Sequence, residues 1–269
     1  MAEHTEHYIL ATGGKDLERL RLLQEVYGPR SEATFERVAL RKGQRVLEVG
    51  CGSGNMACWM AEQVGSAGSV VGIDISADQI ELARQQATAR GLTNIEFQTA
   101  DAYSPRLPEG SFDLAYCRLV LMHLTRPVDA LGAMRSLVKP GGTVYCEEMD
   151  LGCWLCDPPA AAMNQFFELN VALGELRGEH FRLGSSLHQV FREAGFSRPE
   201  VDSNFVLALR GEEKRLLWMT FDEFAPEAVR EKLISQAGAN QIAAGLRTLA
   251  ADDTTLFGFP LLVQVWAQR

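Results

Sequence analysis

The stretch Val46 to Gly54, VLEVGCGSG, constrains this chain more than any other. Val46, Leu47 and Val49 form a short apolar run with the β-branched residues that suit a buried strand. Gly50, Gly52 and Gly54 follow at alternate positions, and the helix-compatible run NMACWMAEQV comes next. Strand, glycine turn, helix is the order in which an α/β sheet presents a nucleotide-like ligand at the carboxyl ends of its strands. Glycine suits such a turn because a Cβ would block the ligand's close approach and because the turn draws on positive φ. Glu48 sits inside the apolar strand. A lone buried carboxylate is costly, so it implies a polar network around the turn.

The loop resembles motif I of the class I S-adenosylmethionine-dependent methyltransferases, E/D-x-G-x-G-x-G. The competing pattern is the dinucleotide loop G-x-G-x-x-G, which would need Gly or Ala where this chain has Asn55. The spacing therefore favours the methyltransferase. The next strand, SVVGIDIS, carries Asp74 at its carboxyl end, about 20 residues past the glycines, where an α/β fold places a carboxylate for ribose hydroxyls. A helix cap is the bland alternative for Asp74, but Ser76 is better placed for that task. Ile75 would then lie against an adenine face. IEFQT reads as a third strand, with Asp101 and Ala102 just past its end. The resemblance implies that Asp101 faces the adenine amine and that Ala102 lends a backbone N–H; the alternative for Asp101 is a turn.

FDLAYCRLVLMHL resembles the segment that ends over the donor's methionine portion, and places Arg118 to meet that carboxylate or to line the substrate entrance. His123 in the same segment is a candidate base or a packing histidine. LVKPGG followed by TVYC resembles another landmark of the family, with a helix expected to end at Lys139-Pro140. These matches span Val46 to about Asp150 in the family's order. They imply a Rossmann-like, seven-stranded, mostly parallel sheet with flanking helices, an antiparallel last strand and a helical cap. PEVDSNFVLAL and FPLLVQVWAQ are the strand-like stretches that resemble the final hairpin.

Residues 1–44 read as an N-terminal helical cover, with one helix broken at Gly28-Pro29 and a second capped by Ser31. Tyr8 is the residue there expected to touch the donor or the acceptor. Residues 45–269 read as the core, with helical material over about 211–253 as a lid, since so long an insertion between strands is usually functional.

Methyl transfer is an in-line displacement that needs positioning and exclusion of water, and a base only when the nucleophile arrives protonated. Glu147 and Glu148, at the end of the fifth strand, and His180 are the base candidates; each could equally be a structural or surface group. The formal net charge of −9 disfavours a nucleic-acid partner, because a phosphate backbone would be repelled. No apolar run reaches the roughly 20 residues of a membrane span. The start lacks a basic leader and a long apolar stretch, so a cytoplasmic location is expected. Cys153 and Cys156 have C-x-x-C spacing without a second pair, and read as incidental thiols. The expected function is methylation of a small molecule from S-adenosylmethionine, with a homodimer compatible and no metal required. The rivals are a methyltransferase-fold protein that catalyses a decarboxylation or cyclisation, and a partner-binding module that keeps the fold.

Overall fold

The computed structural model describes residues 17–269. The first five strands are β1 (Arg45–Val49), β2 (Ser69–Asp74), β3 (Ile95–Thr99), β4 (Phe112–Arg118) and β5 (Val138–Asp150), of which β1 and β2 are apolar, β-branched runs. They pair in parallel in the order β3-β2-β1-β4-β5. Helices α2 (Asn55–Val64), α3 (Ala77–Ala89) and α4 (Pro127–Leu137) make three of the crossovers, whereas a loop connects β3 to β4. The alternation of side chains along the strands sends two sets of apolar residues to opposite faces. Leu47, Val49, Val71 and Cys117 belong to one core; Val46, Val70, Leu114 and Tyr116 belong to the other.

The N-terminal cover departs from expectation. It is a single 22-residue helix, α1 (Leu17–Val38), that runs through Pro29. Proline removes one backbone bond, but buried contacts hold the helix on both sides of it. Tyr27 is fully buried and its hydroxyl donates to Pro260 O at 3.0 Å. Ser31 does not cap a second helix: its hydroxyl lies 3.1 Å from Tyr27 O and 2.7 Å from Glu147 Oε2. A second boundary also moves. α4 stops at Leu137, and Lys139 and Pro140 already belong to β5. A residue before proline is biased away from the helical region, which accounts for the earlier stop.

The rest of the chain closes the sheet and builds over one end of it. β6 (Leu155–Asp157) and α5 (Ala161–Arg177) lead to α6 (Leu187–Glu193) and β7 (Glu200–Asn204). β8 (Leu207–Ala208), α7 (Arg215–Arg230), α8 (Gln236–Ala251), β9 (Leu256–Gly258) and β10 (Leu261–Gln268) complete the chain. β10 lies between β5 and β7, antiparallel to both, and gives the seven-stranded order β3-β2-β1-β4-β5-β10-β7. The expected strand PEVDSNFVLAL is split: β7 joins the main sheet, and β8 joins a three-stranded sheet in the order β6-β9-β8. Residues 212–230 and 236–251 are helical, joined by a turn, and α7 packs on α1, α5 and α8. No helix among the described residues is long and apolar enough to cross a membrane.

Candidate functional site

A cavity of about 1350 Å³ opens at the carboxyl ends of the parallel strands, beneath α1, α5 and α7. That exceeds the roughly 300–1,000 Å³ that one small ligand usually occupies. One end of it is built on the glycine turn after β1. Gly50 and Gly52 have φ of 69° and 51°, in the region that favours glycine. A Cβ on Gly50 would lie 2.3 Å from Val120 Cγ2, so the loop after β4 packs directly on the turn. A Cβ on Gly52 would meet no atom within 4 Å; it would project into open space where this residue lines the cavity.

Asp74, at the end of β2, holds the turn in shape. Its Oδ2 accepts from Gly52 N–H at 2.9 Å and its Oδ1 from Ser76 N–H at 2.9 Å. Burial raises its carboxyl above the ordinary value, against the downward pull of those amides. Ser76 is the cap of α3, accepting from Gln79 N–H at 3.3 Å. Asp74 therefore remains at the cavity with acceptor lone pairs to spare. Ile75 beside it is 66% exposed, an apolar surface offered to a flat ligand. Asp101 and Ala102 continue the same wall, and Asp101 Oδ1 accepts from Tyr103 N–H at 2.8 Å. Asp101 thus makes the turn and lines the cavity at once.

Glu48 and Arg118 form the floor. Glu48 is 4% exposed and its Oε2 has no hydrogen-bond partner. Burial pushes its carboxyl up to about 8, opposed chiefly by the positive charge of Arg118. Arg118 donates to Gln24 Oε1 at 2.6 Å and to Ser31 Oγ at 3.3 Å, and so ties the floor to α1. Tyr8 lies outside the described residues.

The three expected bases do not line the cavity. Glu147 is fully buried: Ser31 and Tyr116 donate to its Oε2 at 2.7 and 2.6 Å, and Tyr145 and Gln264 donate to its Oε1. Every lone-pair direction is used within the fold, so it joins α1 to the sheet rather than reaching a ligand. Glu148 is also fully buried and accepts from the backbone N–H groups of Val120, Leu121 and Met122 at 3.1, 2.7 and 3.3 Å. Burial pushes it up to about 8 against those amides. His180 is exposed, and its backbone N–H donates to Met122 O at 2.6 Å.

Among the described residues, the ionisable pairs that line the cavity include His123 with Glu179, Nδ1 to Oε1 at 3.3 Å, and Arg177 with Glu227. Glu179 carried no signal in the sequence, because the pairing joins residues 56 positions apart. The wall from α5 and α7 is mixed: Phe166, Phe167 and Phe224, with Phe181 and Met149 nearby, stand beside Asn170, Arg177 and Glu227. The aromatic residues of α5 and α7 follow ordinary helix periodicity, which marks an element as core and says nothing of a cavity wall.

A family model described as a methyltransferase domain matches residues 40–195. The chain is 43% identical over 102 residues to aklanonic acid methyltransferase DauC of Streptomyces sp. (strain C5), which covers 38% of this chain and 46% of that protein. It is 33% identical over 117 residues to demethylmenaquinone methyltransferase of Geobacillus kaustophilus, covering 44% of this chain and 50% of that protein. The chain thus spans about half the length of the curated relatives it matches. Among solved structures, the [4+2]-cyclase SpnF superposes with a TM-score of 0.57 at 23% identity, over 91% of this chain and 82% of that one. That likeness is one of fold.

Proposed function

The chain belongs to the class I S-adenosylmethionine-dependent methyltransferases, and from that membership we propose that it methylates a small-molecule acceptor. The observation that carries this reading is the size and lining of the cavity. The glycine turn and a wall of α5 and α7 that mixes aromatic with charged side chains enclose one volume large enough for two ligands.

The residues at the polar end fit the donor. Asp74 would hold the ribose hydroxyls, Ile75 and Ala102 the adenine, and Asp101 its exocyclic amine. Gly50 and Gly52 would admit the methionine portion, whose amino and carboxylate groups would meet Glu48 and Arg118. The unpartnered Glu48 Oε2 and the open space over Gly52 are the features of this chain that such a ligand would satisfy. When bound, S-adenosylmethionine supplies an electrophilic methyl group on a sulfonium sulfur. The chain supplies position and dryness: the helical cover and α7 exclude water, and the wall of α5 and α7 fixes the acceptor in line. Two relatives are named for aklanonic acid and demethylmenaquinone, which supports an organic small molecule as acceptor and is compatible with secondary metabolism. All six cysteines are free thiols, which supports a reducing, cytoplasmic setting.

Isothermal titration with S-adenosylmethionine tests the donor, and deuterated methyl transfer to a pool of small acceptors tests the reaction. Asp74→Ala is expected to weaken donor binding about tenfold or more, the loss of charge-assisted hydrogen bonds. No binding by the folded protein would sink the reading. Binding without transfer to any acceptor would point to another reaction on the same fold.

A further inference from the structure

Arg118 reaches the cavity floor from the end of β4, but the groups that fix its guanidinium lie on α1. Its Nη2 donates to Gln24 Oε1 at 2.6 Å and its Nη1 to Ser31 Oγ at 3.3 Å. Gln24 stands behind that floor and is not among the cavity-lining residues. Its amide nitrogen faces Glu32 Oε1 at 3.4 Å and Met56 Sδ at 3.5 Å. An arginine can only donate and a carboxylate can only accept, so these neighbours allow the Gln24 amide a single orientation. Met56 lies in the first turn of α2, directly after the glycine turn. One side chain thus ties α1 both to Arg118 and to the start of α2.

The sequence leaves space for this arrangement. Gly28 sits inside α1, where glycine weakens a helix relative to alanine. Its backbone is helical and does not call for glycine, yet a Cβ there would collide with the side-chain amide of Gln24. Residues four apart share a helix face, and here the later one is kept bare so that the earlier one can lie across it. The clearance matters for what Gln24 holds. An arginine that is free to turn gives up rotamer freedom when it meets a ligand, whereas one already held has none left to lose.

We propose that Gln24 is a positioning residue for the donor's carboxylate: it sets the Arg118 guanidinium, and Gly28 supplies the clearance that lets it do so. The proposal rests on the methyltransferase reading above, in which the methionine portion of the donor meets Arg118. A guanidinium carries five N–H groups. Two are spent on Gln24 and Ser31, one from each terminal nitrogen, and the rest serve a carboxylate. Paired N–H···O bonds to a carboxylate require the plane of the fork to match the ligand's, and contacts on both terminal nitrogens fix that plane. Gln24 acts through Arg118 and touches no ligand itself.

Calorimetry compares two ligands: S-adenosylhomocysteine, which carries the amino-acid portion, and 5′-methylthioadenosine, which lacks it. Gln24→Leu is expected to weaken S-adenosylhomocysteine about fivefold or more and to leave methylthioadenosine within about twofold of its wild-type affinity. Gly28→Ala removes no polar group and favours the helix, so its Tm should match or exceed that of the wild type while it shows the same selective loss. An equal loss for both ligands would make Gln24 a structural residue and overturn the proposal. Undiminished S-adenosylhomocysteine affinity in either variant would do the same. Failure of the donor reading is a separate outcome, in which the folded wild type binds neither ligand.

Discussion

Glu48 is the residue at which the cost of the site is plainest. It is an acid within an apolar strand, raised by burial from 4.5 to about 8. Between those two values the folded protein keeps a proton that the unfolded chain has released. Each rise in pH across that window therefore favours the unfolded state, and the Glu48 contribution present below about 4.5 is gone above about 8. Glu48→Gln removes this dependence. The unfolding free energy of wild type relative to the variant should fall by a few kcal/mol between about pH 5 and pH 8. Denaturant titrations at both pH values measure it, and a flat difference would show that Glu48 titrates normally. The sequence announced this residue, because a carboxylate in VLEV violates strand patterning. It announced Asp74 through its distance from the glycines. Glu147 and Glu148 were equally visible, but their partners were not: the side chains that bond Glu147 come from Ser31, Tyr116, Tyr145 and Gln264, and the amides that clamp Glu148 from another loop. Spacing along a chain carries no record of such meetings.

At the scale of elements, α1 is the part that local rules describe least well. Gly28-Pro29 predicts a break, and the helix persists because Tyr27, Ser31 and Phe35 are all buried against the rest of the protein. Ser31 and Thr34 reach the polar cluster of Glu147 and Gln264, the latter at 3.1 Å. Glu147→Ala would leave four buried donors without their acceptor, at a cost of about 3 kcal/mol or more. The expected result is a lower denaturation midpoint and a loss of amide-exchange protection in α1 greater than that in α4, which makes no contact with the cluster. Equal losses in both helices would mean that the cluster does not hold α1. The first core strands and their crossover helices, by contrast, were readable, because β1 and β2 are short apolar runs followed by helices with local signals, Gly65 at the end of α2 and the Ser76 cap of α3. The end of α4 moved by two residues for the reason proline usually gives.

For the whole molecule, the cavity is walled by pieces of chain far apart in sequence: α1 before the sheet, α5 and α7 after it. Ion pairs join the walls: Arg19 to Glu223 at 3.2 Å and Arg215 to Glu18 at 3.5 Å between α1 and α7, and Arg177 to Glu227 between α5 and α7. A ligand that binds here favours the folded state by mass action, about 2.7 kcal/mol at a hundred times its Kd. S-adenosylhomocysteine at that excess should raise Tm by roughly 5 °C or more. It should also slow amide exchange in α1 and α7 together. A rise in Tm without coordinated protection would place the ligand elsewhere.

The position of β10 also governs how the protein is made. This strand, the last of the seven to leave the ribosome, lies inside the sheet between two strands completed earlier. Until residues 261–268 emerge, β5 is an open edge, and Glu147 lacks the Gln264 donor that completes its cluster. The nascent chain therefore passes through a stage with nearly all its helices made and its central seam unsealed. Substitutions in β10 should affect yield in the cell more than their effect on the finished fold suggests.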